Sequence, residues 1–188
     1  MGESITKHIL GIVGSPRRGG NTEILVNEVL AGAKEAGAST RKVILNELRI
    51  YPCQACNTCY ETGQCVQKDD MSTLLEHMQH SQVWVLGTPI YWWGPSTQFK
   101  MFIDRWYGVK RGIFNGRLVI LAIPMGGGNP RYARHTVGML TDILAYLGMK
   151  LTETVLAPGA HSLGAVRRHT DVMTKAHQSG WKAIEQLK

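Results

Sequence analysis

No stretch of the 188 residues approaches the ~18 consecutive apolar residues of a membrane-crossing helix. The opening MGESITKHILGIVGS carries too short an apolar run for a secretory leader, so the expected setting is cytoplasmic, with no membrane partner. Met1–Thr6 matches the myristoylation pattern formally, but so short a pattern recurs by chance. Linkers and internal repeats are also missing, so residues 1–188 read as a single domain with room for a substantial core. Acidic residues are relatively few, 14 against 21 basic ones, for a net charge of +7. The basic residues are nevertheless scattered, as in Arg17/Arg18, Arg41/Lys42, Lys110/Arg111 and Arg167/Arg168, and form no stripe with interleaved aromatics. That pattern argues against nucleic acid and for a solvated surface that favours anionic ligands. His77, His80, His135 and His161 show no triad spacing with Ser or Cys, so no side chain is assigned as catalytic.

Cysteine is absent everywhere except one stretch, where Cys53, Cys56, Cys59 and Cys65 are spaced C-x2-C-x2-C-x5-C. Four thiols so close together can wrap a small inorganic core, and C-x2-C-x2-C is the run that holds iron-sulfur clusters in bacterial-type ferredoxins. Other readings stay open. A disulfide framework suits short secreted domains that lack a core, whereas 44% of this chain is hydrophobic. Structural zinc favours two knuckles set well apart, a Cys-x-x-Cys redox pair leaves two thiols idle, and an unoccupied, vestigial cysteine loop is the remaining reading.

The remaining pattern alternates strand and helix. Ile9–Val13 is a continuous apolar run of the kind buried on both faces of a sheet. Thr22–Ala36 places Leu25, Val26, Val29, Leu30 and Ala33 on one helical face and stops at Gly37. Val43–Leu45, Val83–Leu86, Leu118–Ile123 and Leu151–Leu156 read as further strands, the fourth central and the last an edge. Met71–Met78 with Asp70 as an acidic cap, Phe99–Trp106, Val137–Leu147 and Met173–Leu187 read as helices. Five such units predict an α/β fold, a doubly wound five-stranded parallel sheet with helices on both faces; flavodoxin-like order 2-1-3-4-5 is the natural choice for five strands, although the alternation alone does not fix it. The cysteines fall in an insertion loop at about residues 47–70.

Ligands of such sheets lie beyond the carboxyl ends of the strands. The first strand-end loop offers Ser15, Arg17, Arg18, Gly20, Asn21 and Thr22 ahead of a helix start, the makings of a phosphate cradle. Gly14-x4-Gly19 is followed by Gly20 and Asn21, not by the Lys-Ser/Thr of a triphosphate loop, and a G-x-G-x-x-G fingerprint is lacking. A terminal monophosphate fits; an ordinary Gly-rich turn is the plainer reading. The loop after the third strand carries Thr88, Pro89 and Ile90, then Tyr91, Trp92 and Trp93 before Gly94, with stacking surfaces for a flat ring or for a subunit interface. The loop after the fourth, Met125, Gly126, Gly127 and Gly128, brings bare backbone to a ring edge or merely enters a helix.

Gly14-Ser-Pro-Arg-x-x-Gly-Asn-Thr22, the four-cysteine run, Asp69-Asp70-Met71, Thr88-Pro-Ile-Tyr91 and Phe102-Ile-Asp-Arg105 together resemble the iron-sulfur flavoproteins, within the flavodoxin-like NAD(P)H-dependent FMN reductase group. The resemblance spans roughly residues 8 to 156. It implies FMN held by the three loops, a [4Fe-4S] cluster on the four cysteines, and a homodimer or homotetramer in which flavin and cluster approach across a subunit boundary. It further implies a two-electron to one-electron converter fed by NAD(P)H or by a carrier such as ferredoxin. The third loop departs from the group by lacking its longer Gly-Gly-Gln-Glu-type run, which touches the ring contacts and nicotinamide access. A cluster-free NAD(P)H-dependent FMN or quinone reductase and a zinc-stabilised binding module are the competing readings.

Overall fold

A computed structural model describes residues 6–187, so Gly2 and the rest of the formal acylation pattern before Thr6 lie outside the described residues. Five parallel strands, β1 (His8–Val13), β2 (Ser39–Ile44), β3 (Val83–Gly87), β4 (Leu118–Pro124) and β5 (Lys150–Ala157), pair in the order β2-β1-β3-β4-β5. The predicted fold class and strand order are those of the molecule. β3 occupies the centre, and β4 is interior, one place to its side.

Residue alternation along the strands explains the two layers of core. Ile9, Val13, Val83, Val85, Ile120 and Val155 face one side, where they meet α1 (Asn21–Glu35) and α6 (Thr170–Glu185). Leu10, Ile12, Trp84, Leu86, Val119 and Leu121 face the other, against α3 (Met71–His80), α4 (Thr97–Asp104) and α5 (Arg134–Tyr146). The interior strands β1, β3 and β4 bury both faces, which is why they read as unbroken apolar runs. On the first side α1 and α6 touch backbone to backbone: a Cβ added at Gly32 would collide with the His177 carbonyl, and one added at Gly180 with that of Val29. Only glycine permits that approach.

β2 begins earlier than the predicted Val43–Leu45, and Leu45 belongs to a 3-10 turn (Leu45–Glu47). It is an edge strand whose Ser39, Arg41 and Lys42 are exposed, so its pairing with β1 rests on main-chain hydrogen bonds rather than on apolar content. The helix expected to reach Trp106 ends at Asp104 and tightens into a 3-10 turn over Arg105–Gly108. A short helix, α2 (Thr58–Thr62), lies within the cysteine loop. The cap expected of Asp70 is supplied by its neighbour: Asp69 Oδ1 accepts from the Met71 N–H at 3.2 Å, while Asp70 Oδ2 accepts from that of Arg49 at 2.7 Å.

Candidate functional site

The ends of β1, β3 and β4 open onto one cleft of about 270 Å³, near the small end of ligand pockets at about 300 Å³. Ser15, Arg17, Gly20, Asn21 and Thr22 form one wall, and Pro89, Ile90 and Tyr91 another. Pro124, Met125 and Gly126 form the third, and the chain after β5 closes the cleft with Ala160, His161 and Leu163.

The first wall is built to hold an anion. Ile24 N–H is the first intrahelical donor of α1, bonding Gly20 at 3.0 Å, so the N–H groups of Asn21, Thr22 and Glu23 precede the ladder and are left for a ligand. The Thr22 residue is 1% exposed, and its hydroxyl has no protein partner among the described residues. Ser15, 4% exposed, accepts from the Arg17 N–H at 3.2 Å and keeps its own O–H free to donate. Two hydroxyls on buried residues and a helix start around one cleft make a donor set suited to a phosphate. The exposed Arg17 guanidinium, in no ion pair among the described residues, adds positive charge at the rim.

Other predicted residues serve this wall indirectly. The Asn21 side chain donates to the carbonyls of Ala160 at 2.8 Å and Ser162 at 2.9 Å and accepts from Val166 N–H at 3.1 Å, so it staples the chain after β5 to the cleft. Arg18 turns away to Glu47 at 2.5 Å and lies 3.7 Å from Glu23. Glu23 brings a carboxylate close to the cradle, yet Lys42 at 2.6 Å and the Gly19 N–H at 2.8 Å neutralise it. Burial alone would push its pKa up, and these partners outweigh that and hold it below the ordinary value.

The second wall is a strained turn. Tyr91 and Gly94 exchange backbone hydrogen bonds of 2.9 Å in each direction, forcing Trp92 to φ +48° and Trp93 to φ +63°. Thr136 Oγ1 donates to the Trp93 carbonyl at 2.8 Å, and Trp93 meets the Tyr132 ring edge-on at 6.3 Å. Trp92, 91% exposed, points away from the core. Thr88 is buried and structural: its hydroxyl accepts from Ser96 N–H and donates to the Pro89 carbonyl, both at 3.1 Å. Trp92, Trp93, Gly94, Gly127 and Gly128 stand outside the cleft wall. His161, given no role by the sequence, is within it; its place just past the end of β5 was the available signal.

All four cysteines line a second, smaller cleft with Arg105, Tyr107 and Gly108. A Cβ at Gly108 would sit 3.3 Å from Cys59 Sγ, so the loop closes tightly there. Hydrogen bonds from the Thr58 N–H and hydroxyl hold the Cys56 thiol below its ordinary pKa. Thiolates sharing one zinc ion at about 2.3 Å must crowd within about 4 Å of each other. Among the described residues no three potential ligands are gathered for a single ion. A multi-iron cluster takes one thiolate on each of several irons, so its ligands need not crowd onto a single ion, and four thiols lining one cleft are compatible with that demand.

Residues 8–161 match the family model described as NADPH-dependent FMN reductase. The chain is 41% identical over 97 residues to the iron-sulfur flavoprotein MJ1083 of Methanocaldococcus jannaschii, an alignment covering 52% of this chain and 50% of that one. It is 30% identical over 160 residues to an iron-sulfur flavoprotein of Archaeoglobus fulgidus, covering 82% of this chain and 67% of the relative. It therefore spans about half to two thirds of these relatives. The solved structure of a flavone reductase superposes with a TM-score of 0.75 at 24% identity, over 95% of this chain and 62% of that one, which establishes the likeness of fold.

Proposed function

The chain belongs to the NADPH-dependent FMN reductase family, on the side of its iron-sulfur flavoproteins, and from that premise we propose that it is an FMN-dependent oxidoreductase coupled to a [4Fe-4S] cluster. One observation carries the FMN reading: the Ser15 hydroxyl, with its O–H still free to donate, and the Thr22 hydroxyl stand on buried residues at the start of α1, where three strand-end loops converge. Bound there, FMN supplies hydride and single-electron chemistry that no side chain offers.

The chain's own part is binding and orientation. Ser15 and Thr22 donate to the phosphate, and the N–H groups at the head of α1 complete its shell. Pro89, Ile90 and Tyr91 form the apolar side toward a ring, and Met125 and Gly126 present backbone from the far side. Tyr91 on the cleft wall and Trp92, Trp93 and Tyr132 beside it, all substantially exposed, offer a surface for an electron partner or a second copy. NAD(P)H or a carrier such as ferredoxin is the proposed donor, and a homodimer or homotetramer the proposed assembly. Cys53, Cys56, Cys59 and Cys65 are the proposed cluster ligands. No helix among the described residues is long and apolar enough to cross a membrane.

Anaerobically purified protein tests the reading through its flavin, iron, sulfide and zinc content. Flavin with iron and sulfide is expected. Flavin without metal would favour the cluster-free reductase, and zinc without flavin would favour the binding module.

A further inference from the structure

Arg105 has a side chain only 3% exposed. A guanidinium so deep needs a counter-charge and acceptors for its N–H groups. Asp69 provides the charge in a two-pronged pair, Nη1 to Oδ2 at 2.5 Å and Nη2 to Oδ1 at 3.2 Å. Nη1 also donates to the Tyr51 carbonyl at 3.0 Å. Asp69 in turn accepts from the N–H groups of Tyr51 at 2.9 Å and Met71 at 3.2 Å. The guanidinium is thereby fixed in position and orientation. What Nη2 still reaches, at 3.4 Å, is the sulfur of Cys65.

This clamp gathers both ends of the cysteine loop. Tyr51 lies just before Cys53, and Asp69 lies just after Cys65. Arg105 itself follows α4, whose N-cap Ser96 donates its hydroxyl to the Gly14 carbonyl beside the phosphate loop. One short helix therefore links the two clefts.

Resting on the cluster reading above, we propose that Arg105 is a positioning residue for the cysteine loop, whose N–H donated to the Cys65 sulfur raises the reduction potential of the cluster. Reduction places one more negative charge on a cluster and its thiolates, so a donor aimed at a ligand sulfur stabilises the reduced form more than the oxidised one. Arg105 keeps its proton, and the electron comes from the flavin side or from an external donor. The pair with Asp69 alone would account for a structural clamp. The planar fork adds what an ammonium cannot, serving a carboxylate and a sulfur at once.

Arg105→Lys keeps the charge and removes the fork, so it separates hydrogen bonding from simple electrostatics. Redox titration of the anaerobic holoprotein, followed by EPR, is expected to move the cluster midpoint negative by about tenfold in the one-electron equilibrium, about 59 mV. The flavin midpoint should stay in place. A loaded cluster whose midpoint does not move overturns the role of Arg105 and leaves the cluster standing. If the variant fails to fold or load, pulsed EPR on the reduced wild-type protein labelled with 15N-arginine decides. Nitrogen coupling to the cluster is expected, and its absence overturns the proposal. Wild-type protein without iron and sulfide contradicts the cluster reading and this role together.

Discussion

Tyr91 and Gly94 are locked by two reciprocal 2.9 Å backbone hydrogen bonds, and the turn they close places two tryptophans in succession in the left-handed region. That region costs an ordinary L-residue roughly 1–2 kcal/mol, and glycine or asparagine is its usual occupant. Bulky residues held there mark a site where the surrounding structure imposes the conformation. Here the turn stands beside Pro89, Ile90 and Tyr91 of the cleft.

Trp92→Asn is therefore expected to stabilise the protein. With the Trp92 side chain almost wholly in solvent, little packing is lost, and relief of about 1 kcal/mol corresponds to roughly 2–4 °C in Tm for a chain of this size. Differential scanning calorimetry reads the shift. A lowered Tm would show that Trp92 makes stabilising contacts that offset its backbone strain.

Acid should destabilise the fold through two carboxylates. Burial would raise the pKa of Asp69, but hydrogen bonds from Arg105, Tyr51 and Met71 outweigh it and leave it below 3.8. Glu23 is likewise held below 4.5 by Lys42 and the Gly19 N–H against the effect of burial. Lowered folded-state values mean that both contribute stability that is fully present above the unfolded values and lost as pH falls through the folded ones. Urea midpoints should be flat near neutrality and decline in the acid range below those values, less steeply in Asp69→Asn. An unchanged acid slope in that variant would remove Asp69 from the account.

Cys59→Ala should abolish the brown chromophore and leave the yellow one, since a cluster needs its thiolates and the flavin cleft contains none of them. Visible spectroscopy on anaerobic protein checks this. Retention of both colours would take Cys59 off the ligand set.

The sequence exposed those parts of the molecule that depend on local pattern. Ile9–Val13 and Leu118–Ile123 were legible because an interior parallel strand buries both faces and so reads as an uninterrupted apolar run. The place of Ser15 and Thr22 in the cleft wall was legible because a strand, a Gly-rich turn and a helix start occur together. β2 escaped in part, because an edge strand with exposed Ser39, Arg41 and Lys42 is held by its neighbour's main chain. The clamp on the cysteine loop escaped because Arg105 and Asp69 meet only in the folded chain, 36 residues apart. Asn21, assigned to the site, lines the cleft, and its side chain also bonds the carbonyls of Ala160 and Ser162, a role that no local pattern announces.

The claim that a phosphoryl tail is gripped at the head of α1 is tested most directly by titrating flavin-free protein with FMN and with riboflavin, which lacks the phosphate, and repeating the pair in Ser15→Ala. Fluorescence quenching should show FMN bound far more tightly than riboflavin. Loss of the Ser15 hydroxyl should weaken FMN by about 1.5 to 3 kcal/mol, roughly 10- to 150-fold, and leave riboflavin nearly untouched. Equal affinities for the two flavins, or a Ser15→Ala variant that binds FMN as the parent does, would contradict the account.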